Sequence, residues 1–154
     1  MMLFKDSVTI FNYSEERKGY VRIFVDNVYF KNRIRINNTK ISSDEKNYNK
    51  CVISEKCSKI KNGAIFIPDF VFDGDDEYNE TDYNILSDGG YKKIADIKLT
   101  PNKSYICHGF TDEISLTKLQ NNCEIYKILE YAYQGLGLTK GIYIKTERQG
   151  GLRF

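Results

Sequence analysis

Val8-Thr9-Ile10-Phe11-Asn12 and, after a polar break, Tyr20-Val21-Arg22-Ile23-Phe24-Val25-Asp26-Asn27-Val28-Tyr29-Phe30 form the stretch that decides the fold. Both runs are rich in Val, Ile, Phe and Tyr, the side chains that suit a pleated, half-buried surface. Between them lies Tyr13-Ser14-Glu15-Glu16-Arg17-Lys18-Gly19, a charged segment closed by a glycine. The pattern predicts a β-hairpin with a long solvated loop. In the second run Val21, Ile23 and Val25 fall on one face, with Arg22, Phe24 and Asp26 on the other. Asp26-Asn27 marks a turn or bulge, after which Val28 and Phe30 resume the alternation.

Working outward, Arg33-Ile34-Arg35-Ile36 is a candidate short strand, and residues 37–50 are almost wholly polar. So little apolar surface cannot repay the entropy of ordering, so a long loop is expected there. Cys51-Val52-Ile53-Ser54 reads as a strand, Lys59-Ile60-Lys61-Asn62-Gly63 as a turn, and Ala64-Ile65-Phe66-Ile67-Pro68 as a buried strand that proline ends. An irregular acidic excursion follows over 69–90, with a short strand at Asp69 to Phe72. Further on, Lys92 to Leu99 is a candidate strand, Thr100 to Lys103 a turn, and Ser104 to Phe110 a strand. Ser115 is a fair N-cap for one helical turn through Gln120. Over Glu124 to Gln134 two readings compete. Ile125, Ile128, Leu129 and Ala132 fit a helical stripe, while the β-branched and aromatic content favours a hairpin through Gly135-Leu136-Gly137 to Gly141-Ile142-Tyr143-Ile144. The hairpin is preferred.

A chain of 154 residues with 41% hydrophobic and 29% charged side chains fits one globular domain over 1–154. No apolar run approaches the roughly 20 residues that span a bilayer, and the first residues carry no secretory pattern. The 4 cysteines, at 51, 57, 107 and 123, contain no CxxC pair, so reduced structural thiols are expected. The net charge of +2 hides a segregation: +6 over residues 1–63, −8 over 69–88 and +4 over 89–154. Opposite-sign blocks suit solvated loops or packing between copies.

Catalytic and metal signatures are weak. His108 is the single histidine, with no carboxylate near it in sequence, and reads as structural. Cys51, Cys57, Cys107 and His108 match none of the usual zinc spacings. The run Asp69, Asp73, Asp75, Asp76, Glu77 lacks the order of a calcium loop, and Gly135 to Gly141 lacks both nucleotide-loop spacings. No catalytic residue, metal or cofactor is expected. Arg22, Lys31, Arg33 and Arg35 interleave with Tyr20, Phe24, Tyr29 and Phe30, as in barrels that bind single-stranded nucleic acid, although a half-buried sheet gives the same interleaving.

Residues 3–12, Leu3-Phe4-Lys5-Asp6-Ser7-Val8-Thr9-Ile10-Phe11-Asn12, resemble the start of a family of small proteins from phages and prophages of low-GC Gram-positive bacteria. There an "FKDKVTIFN"-like strand precedes a "YYRTVLENVFW"-like strand, to which Tyr20 to Phe30 is similar. Ala64 to Pro68, Ser104 to Gly109 and Ile114 to Leu119 continue the resemblance in order. The family's aromatic closing segment is here Tyr131-Ala132-Tyr133 and Gly141 to Lys145, and residues 37–50 have no counterpart. The resemblance implies a mainly β protein built as a small antiparallel β-barrel, to which the residue pattern adds long polar loops (37–50 and 69–90) and one short helix. It also implies a structural, non-enzymatic role in the virion. The chain would be a head-closure or stopper-type neck component assembled in the host cytoplasm as a homo-oligomeric ring at the head–tail junction. Its partners would be other copies of itself, portal or adaptor and tail proteins, and packaged DNA in the channel, with no membrane. A tail-completion or adaptor role in the same region is the neighbouring alternative, and a single-strand nucleic-acid-binding barrel is the other. On the neck reading Lys40, Lys46 and Lys50 are expected to face the lumen and DNA phosphates. Asp73, Asp75, Asp76 and Glu77 are expected to dock on a neighbouring subunit.

Overall fold

The computed structural model describes residues 2–31, 48–74, 84–85 and 91–149. The opening hairpin forms as β1 (Asp6–Ser14) and β2 (Gly19–Lys31), paired from Ser14↔Gly19 to Asp6↔Val28. Its connection is shorter than the charged segment suggested, because Tyr13 and Ser14 continue the ladder. The pairing shifts by one residue between Val8↔Val25 and Asp6↔Val28, placing a bulge at Asp26-Asn27. Asn27 has φ 56°, the left-handed conformation that asparagine tolerates. The extra residue restores the inward phase, so that Val28 and Phe30 are buried like Val21, Ile23 and Val25.

The remaining strands are β3 (Tyr48–Ser54), β4 (Lys59–Pro68), the two-residue β5 (Asn84–Ile85), β6 (Tyr105–His108), β7 (Ile125–Gln134) and β8 (Gly141–Arg148). All eight belong to one antiparallel sheet, in the order β1-β6-β7-β8-β3-β2-β4-β5. The fold is mainly β. Because β2 also pairs with β1, the pairings run in a circuit: β1-β2-β3-β8-β7-β6 and back to β1. The length of β2 makes this work, since its N-terminal part lies between β1 and β4 while Tyr29 to Lys31 pair with β3.

Every strand of the circuit sends side chains into one core: Val8 and Ile10, Val21, Ile23, Val25, Val28 and Phe30, Cys51 and Ile53, Ile106, Tyr126 and Ile128, Ile142 and Ile144. The segment 91–99 adds Ile94, Ile97 and Leu99 to it. That segment was expected to be a strand. It is instead an irregular strap with one 3-10 turn, Ile94–Asp96, because its backbone is tied to other elements rather than to a ladder.

A second apolar layer lies on the other face of β1, β2, β4 and β6. Phe11, Tyr20, Ile65, Ile67, Cys107 and Ile125 pack there against α1 (Asp69–Phe72) and α2 (Leu116–Asn122) through Val71, Phe72 and Leu119. The Phe72 ring lies tilted 4.0 Å from that of Tyr20 and 5.3 Å from that of Phe11. Both faces of β1 are therefore covered, which is why residues 8–12 are buried without alternation. The expected short strand at Asp69 to Phe72 is a helical turn, since Val71 and Phe72 reach the sheet face only from a coiled backbone. The predicted turn at Lys59 to Gly63 is also overturned. β4 runs straight through it, and Asn62-Gly63 coincides with a register irregularity against β2. Residues 124–134 resolve as strand, and the β7–β8 hairpin closes through a 3-10 turn, Gly137–Thr139. Ser115 stands at the N-cap of α2 but makes no side-chain cap; its hydroxyl donates to the carbonyl of Gly74 at 3.3 Å. The candidate strand at 33–36 and most of the loop 37–50 lie outside the described residues.

Candidate functional site

Of the lysines expected to face DNA, Lys40 and Lys46 lie outside the described residues. Lys50 is on β3, not in a loop, directly opposite Lys145 of β8. The two amines are drawn apart onto neighbouring rings: Lys50 Nζ lies 5.4 Å from the Tyr143 ring centroid and Lys145 Nζ 4.0 Å from that of Tyr48. Such contacts give each cation a partner and lower the repulsion across the pair. With Glu130 these residues line a shallow groove of about 500 Å³.

Of the acidic set, only Asp73 is described. It is exposed at the C-terminus of α1, and partial burial followed by the charge of Asp69 raises its carboxyl above the ordinary range. Asp75, Asp76 and Glu77 lie outside the described residues.

Of the aromatic–basic set considered for single-stranded nucleic acid, Arg33 and Arg35 lie outside the described residues and Lys31 is exposed, while Tyr20, Arg22, Phe24 and Phe30 are taken up by packing. Tyr20 is buried beneath Phe72, and Arg22 is buried with its guanidinium donating to the carbonyl of Asp112 at 3.0 Å. Phe24 lies between that guanidinium and Phe110, at 4.8 and 5.0 Å. Alternation alone could not distinguish this, because the second apolar layer buries the face that a lone hairpin would leave wet.

His108 has a carboxylate neighbour after all. Its ring stacks on Phe30 at 4.9 Å, and Nε2 lies 3.4 Å from Asp6 Oδ1. The β1–β6 register, which pairs Val8 with His108, brings Asp6 to it from far away in sequence. Cys51 is buried in the first core and Cys107 in the second, where its Sγ lies 4.0 Å from that of Cys123. Cys51, Cys57, Cys107 and His108 do not converge, and no group of three metal-ligating side chains gathers among the described residues.

Two surfaces stand out that the sequence did not single out. The first is a groove of about 890 Å³ between β4 and the strap 91–95, lined by Glu55, Lys59, Ile60, Lys61, Tyr91 and Lys92 among others. Lys59 and Lys61 share the strand face of Asp26 and Phe24, with Lys61 Nζ 3.8 Å from Asp26, while Ile60 between them packs on the core with Tyr91. Tyr91 is fixed by Asn12, whose side-chain amide donates to its hydroxyl at 2.6 Å. Glu55, which also lines the groove, lies 3.9 Å from Lys140.

The second is the β7–β8 tip, where Leu136 and Leu138 are 84% and 62% exposed. Their backbone is held firmly. Ser54 Oγ donates to the carbonyl of Leu138 at 2.8 Å, Tyr143 OH to that of Thr139 at 2.7 Å, and Glu55 N to that of Lys140 at 2.8 Å. Two leucines in water on a braced turn suit a contact better than a floppy loop would.

No helix among the described residues is long and apolar enough to cross a membrane. Comparison of the chain with protein-family models, with curated proteins and with solved structures finds no match.

Proposed function

We propose that this chain is a structural virion protein of a phage neck, a small β-barrel that assembles as a ring joining the DNA-filled head and portal to the tail. The observation that carries the proposal is the braced β7–β8 tip, which presents Leu136 and Leu138 to solvent from a rigid β framework. A ring subunit needs such a preorganised, apolar projection to engage its neighbour or the next layer. The circuit of strand pairings supports the barrel form. The blocks that resemble the phage family fall in order on β1, β2, β4, β6 and α2. In this reading the acidic stretch with Asp73, Asp75, Asp76 and Glu77 faces a basic surface of the adjoining copy.

The test is mass spectrometry of purified virions or tail-like particles from the source, with light scattering on the isolated protein. Presence at a few to a dozen copies per particle, with self-association in solution, supports the neck role. Absence from particles together with a strict monomer overturns it.

A further inference from the structure

We infer that Cys107 and Cys123 form a redox-active pair, which a hydroperoxide closes into a disulfide that pins α2 to β6 and a thiol reductant reopens. Both are free thiols, and their Sγ atoms lie 4.0 Å apart. The approach is set by backbone on both sides. Cys107 stands on β6 opposite Ile125, and His108 N donates to the carbonyl of Glu124 at 3.4 Å. Cys123 caps the C-terminus of α2, where its own N donates to the carbonyl of Leu119 at 3.0 Å. A disulfide needs about 2.05 Å between the sulfurs, a closure within reach of side-chain rotation from this separation. Cys51 and Cys57 differ, since neither has a second sulfur in contact among the described residues.

The two sulfurs are unequal. Cys107 is fully buried in the second layer, whereas Cys123 is partly exposed. Their contact holds the Cys123 thiol below the ordinary range, against partial burial and the charge of Glu113. The same contact, and then burial, push Cys107 up. Cys123 is therefore the thiolate that meets an oxidant first. It attacks one peroxide oxygen, the O–O bond breaks, and Cys123 becomes a sulfenic acid. The departing hydroxide takes up the proton that the thiol released and leaves as water. The Cys107 sulfur then attacks the Cys123 sulfur; the S–O bond breaks, the S–S bond forms, and the hydroxyl leaves as water with the Cys107 proton. Two thiols have given up two electrons and two protons, and the peroxide is reduced to two waters. α2 is the element this bond affects most. It runs only from Leu116 to Asn122, makes no side-chain N-cap and has Leu119 as its buried residue. A covalent tie at its last turn adds an anchor to a helix too short to hold itself.

The experiment treats the full chain with hydrogen peroxide, removes the excess with catalase, blocks remaining thiols with N-ethylmaleimide in denaturant and maps tryptic peptides by mass spectrometry. Ser104–Lys118 and Leu119–Lys127 should appear joined, lighter than their sum by two hydrogens, and should separate on adding dithiothreitol. Dimedone present during oxidation should mark Cys123 and leave Cys107 to the maleimide. The oxidised chain should melt roughly 6–12 °C above the reduced one, the shift expected for closing a loop of about 15 residues in a chain of this size. Cys123→Ser, at a partly exposed position, should lose the joined peptides and the shift while melting like the parent in reductant. Cys57→Ser should keep both. Four outcomes overturn the inference: no link between Cys107 and Cys123, dimedone on Cys107 rather than Cys123, an oxidised form that melts no higher, or a shift that survives in Cys123→Ser. A link that forms only once the chain is unfolded in urea overturns it as well, because the pairing would then owe nothing to the fold.

Discussion

Asn12 and Tyr91, 79 residues apart, are joined by a 2.6 Å hydrogen bond from the asparagine amide to the phenol oxygen. Asn12 is buried at the end of the core that the circuit strands share. It also donates to the carbonyl of Lys98 at 2.8 Å, and its own carbonyl accepts from Thr100 N at 3.1 Å and Ser104 Oγ at 2.9 Å. One side chain thus uses both donors and both lone pairs to hold the strap across the sheet.

Asn12→Ala should therefore cost far more than the loss of one contact. Strap and strand groups are left buried without partners, each at about 1–3 kcal/mol, so a total near 3 kcal/mol is expected after water enters. Tyr91→Phe removes a single partner and should cost about 1 kcal/mol. Urea unfolding of both variants checks the order. Equal costs would show that the strap is held by Ile94, Ile97 and Leu99 alone.

Gly141 opens β8 opposite Ser54, and a Cβ there would run into the carbonyl of Ile53. Backbone cannot step aside as a side chain tip can. Gly141→Val should destabilise by about 1–3 kcal/mol, the usual range for overpacking, and should loosen the β3–β8 ladder. Hydrogen exchange at Val52 and Ile53 amides reports that loosening; unchanged protection there would contradict the close approach.

Asp73 gives a pH-dependent test. Its carboxyl is raised by partial burial and then by Asp69, so the folded state disfavours the charged form. A carboxyl raised on folding contributes stability that is complete below its unfolded value, about 3.9, and is lost as pH climbs through the raised folded value. Above the raised folded value the carboxylate is charged in both states, and the folded protein bears the cost of that charge. Asp73→Asn should raise the melting temperature at pH 7, and the gain should shrink once the medium is more acidic than the ordinary aspartate range. An Asp73→Asn gain that persists undiminished in acid would mean that the charge is not its origin.

The parts legible in the sequence were those where one periodicity governs one face. The bulge at Asp26-Asn27 was readable because asparagine tolerates the left-handed backbone and the apolar phase visibly resumes at Val28. β7 was ambiguous for a physical reason. A register shift between Ile128 and Glu130 flips the phase, so Tyr126 and Ile128 face the core before it and Tyr131 packs on that core after it. Lys59-Ile60-Lys61 alternates as a strand should, yet Asn62-Gly63 drew the reading to a turn, although β4 runs through it. Long-range packing created what local pattern cannot carry: the Asp6–His108 approach and the strap 91–99 laid over the core beside Ile60.

The β7–β8 tip separates stability from assembly. Leu136 and Leu138 lie mostly in water, while the turn beneath them is held through backbone carbonyls by Ser54, Tyr143 and Glu55. Leu136→Asp/Leu138→Asp changes neither those hydrogen bonds nor either core, so the melting point of the isolated subunit should move little. Buried at a contact with a neighbour, however, each leucine would contribute about 1.5–3 kcal/mol, and an unpaired carboxylate in its place would cost more. The double variant should therefore sediment as monomer where the parent self-associates, and should fail to enter particles when it is the only copy supplied. A variant that folds, assembles and yields infectious particles at the parental level would remove the tip from any interface. A variant that loses stability in the monomer would instead show that the leucines serve the fold.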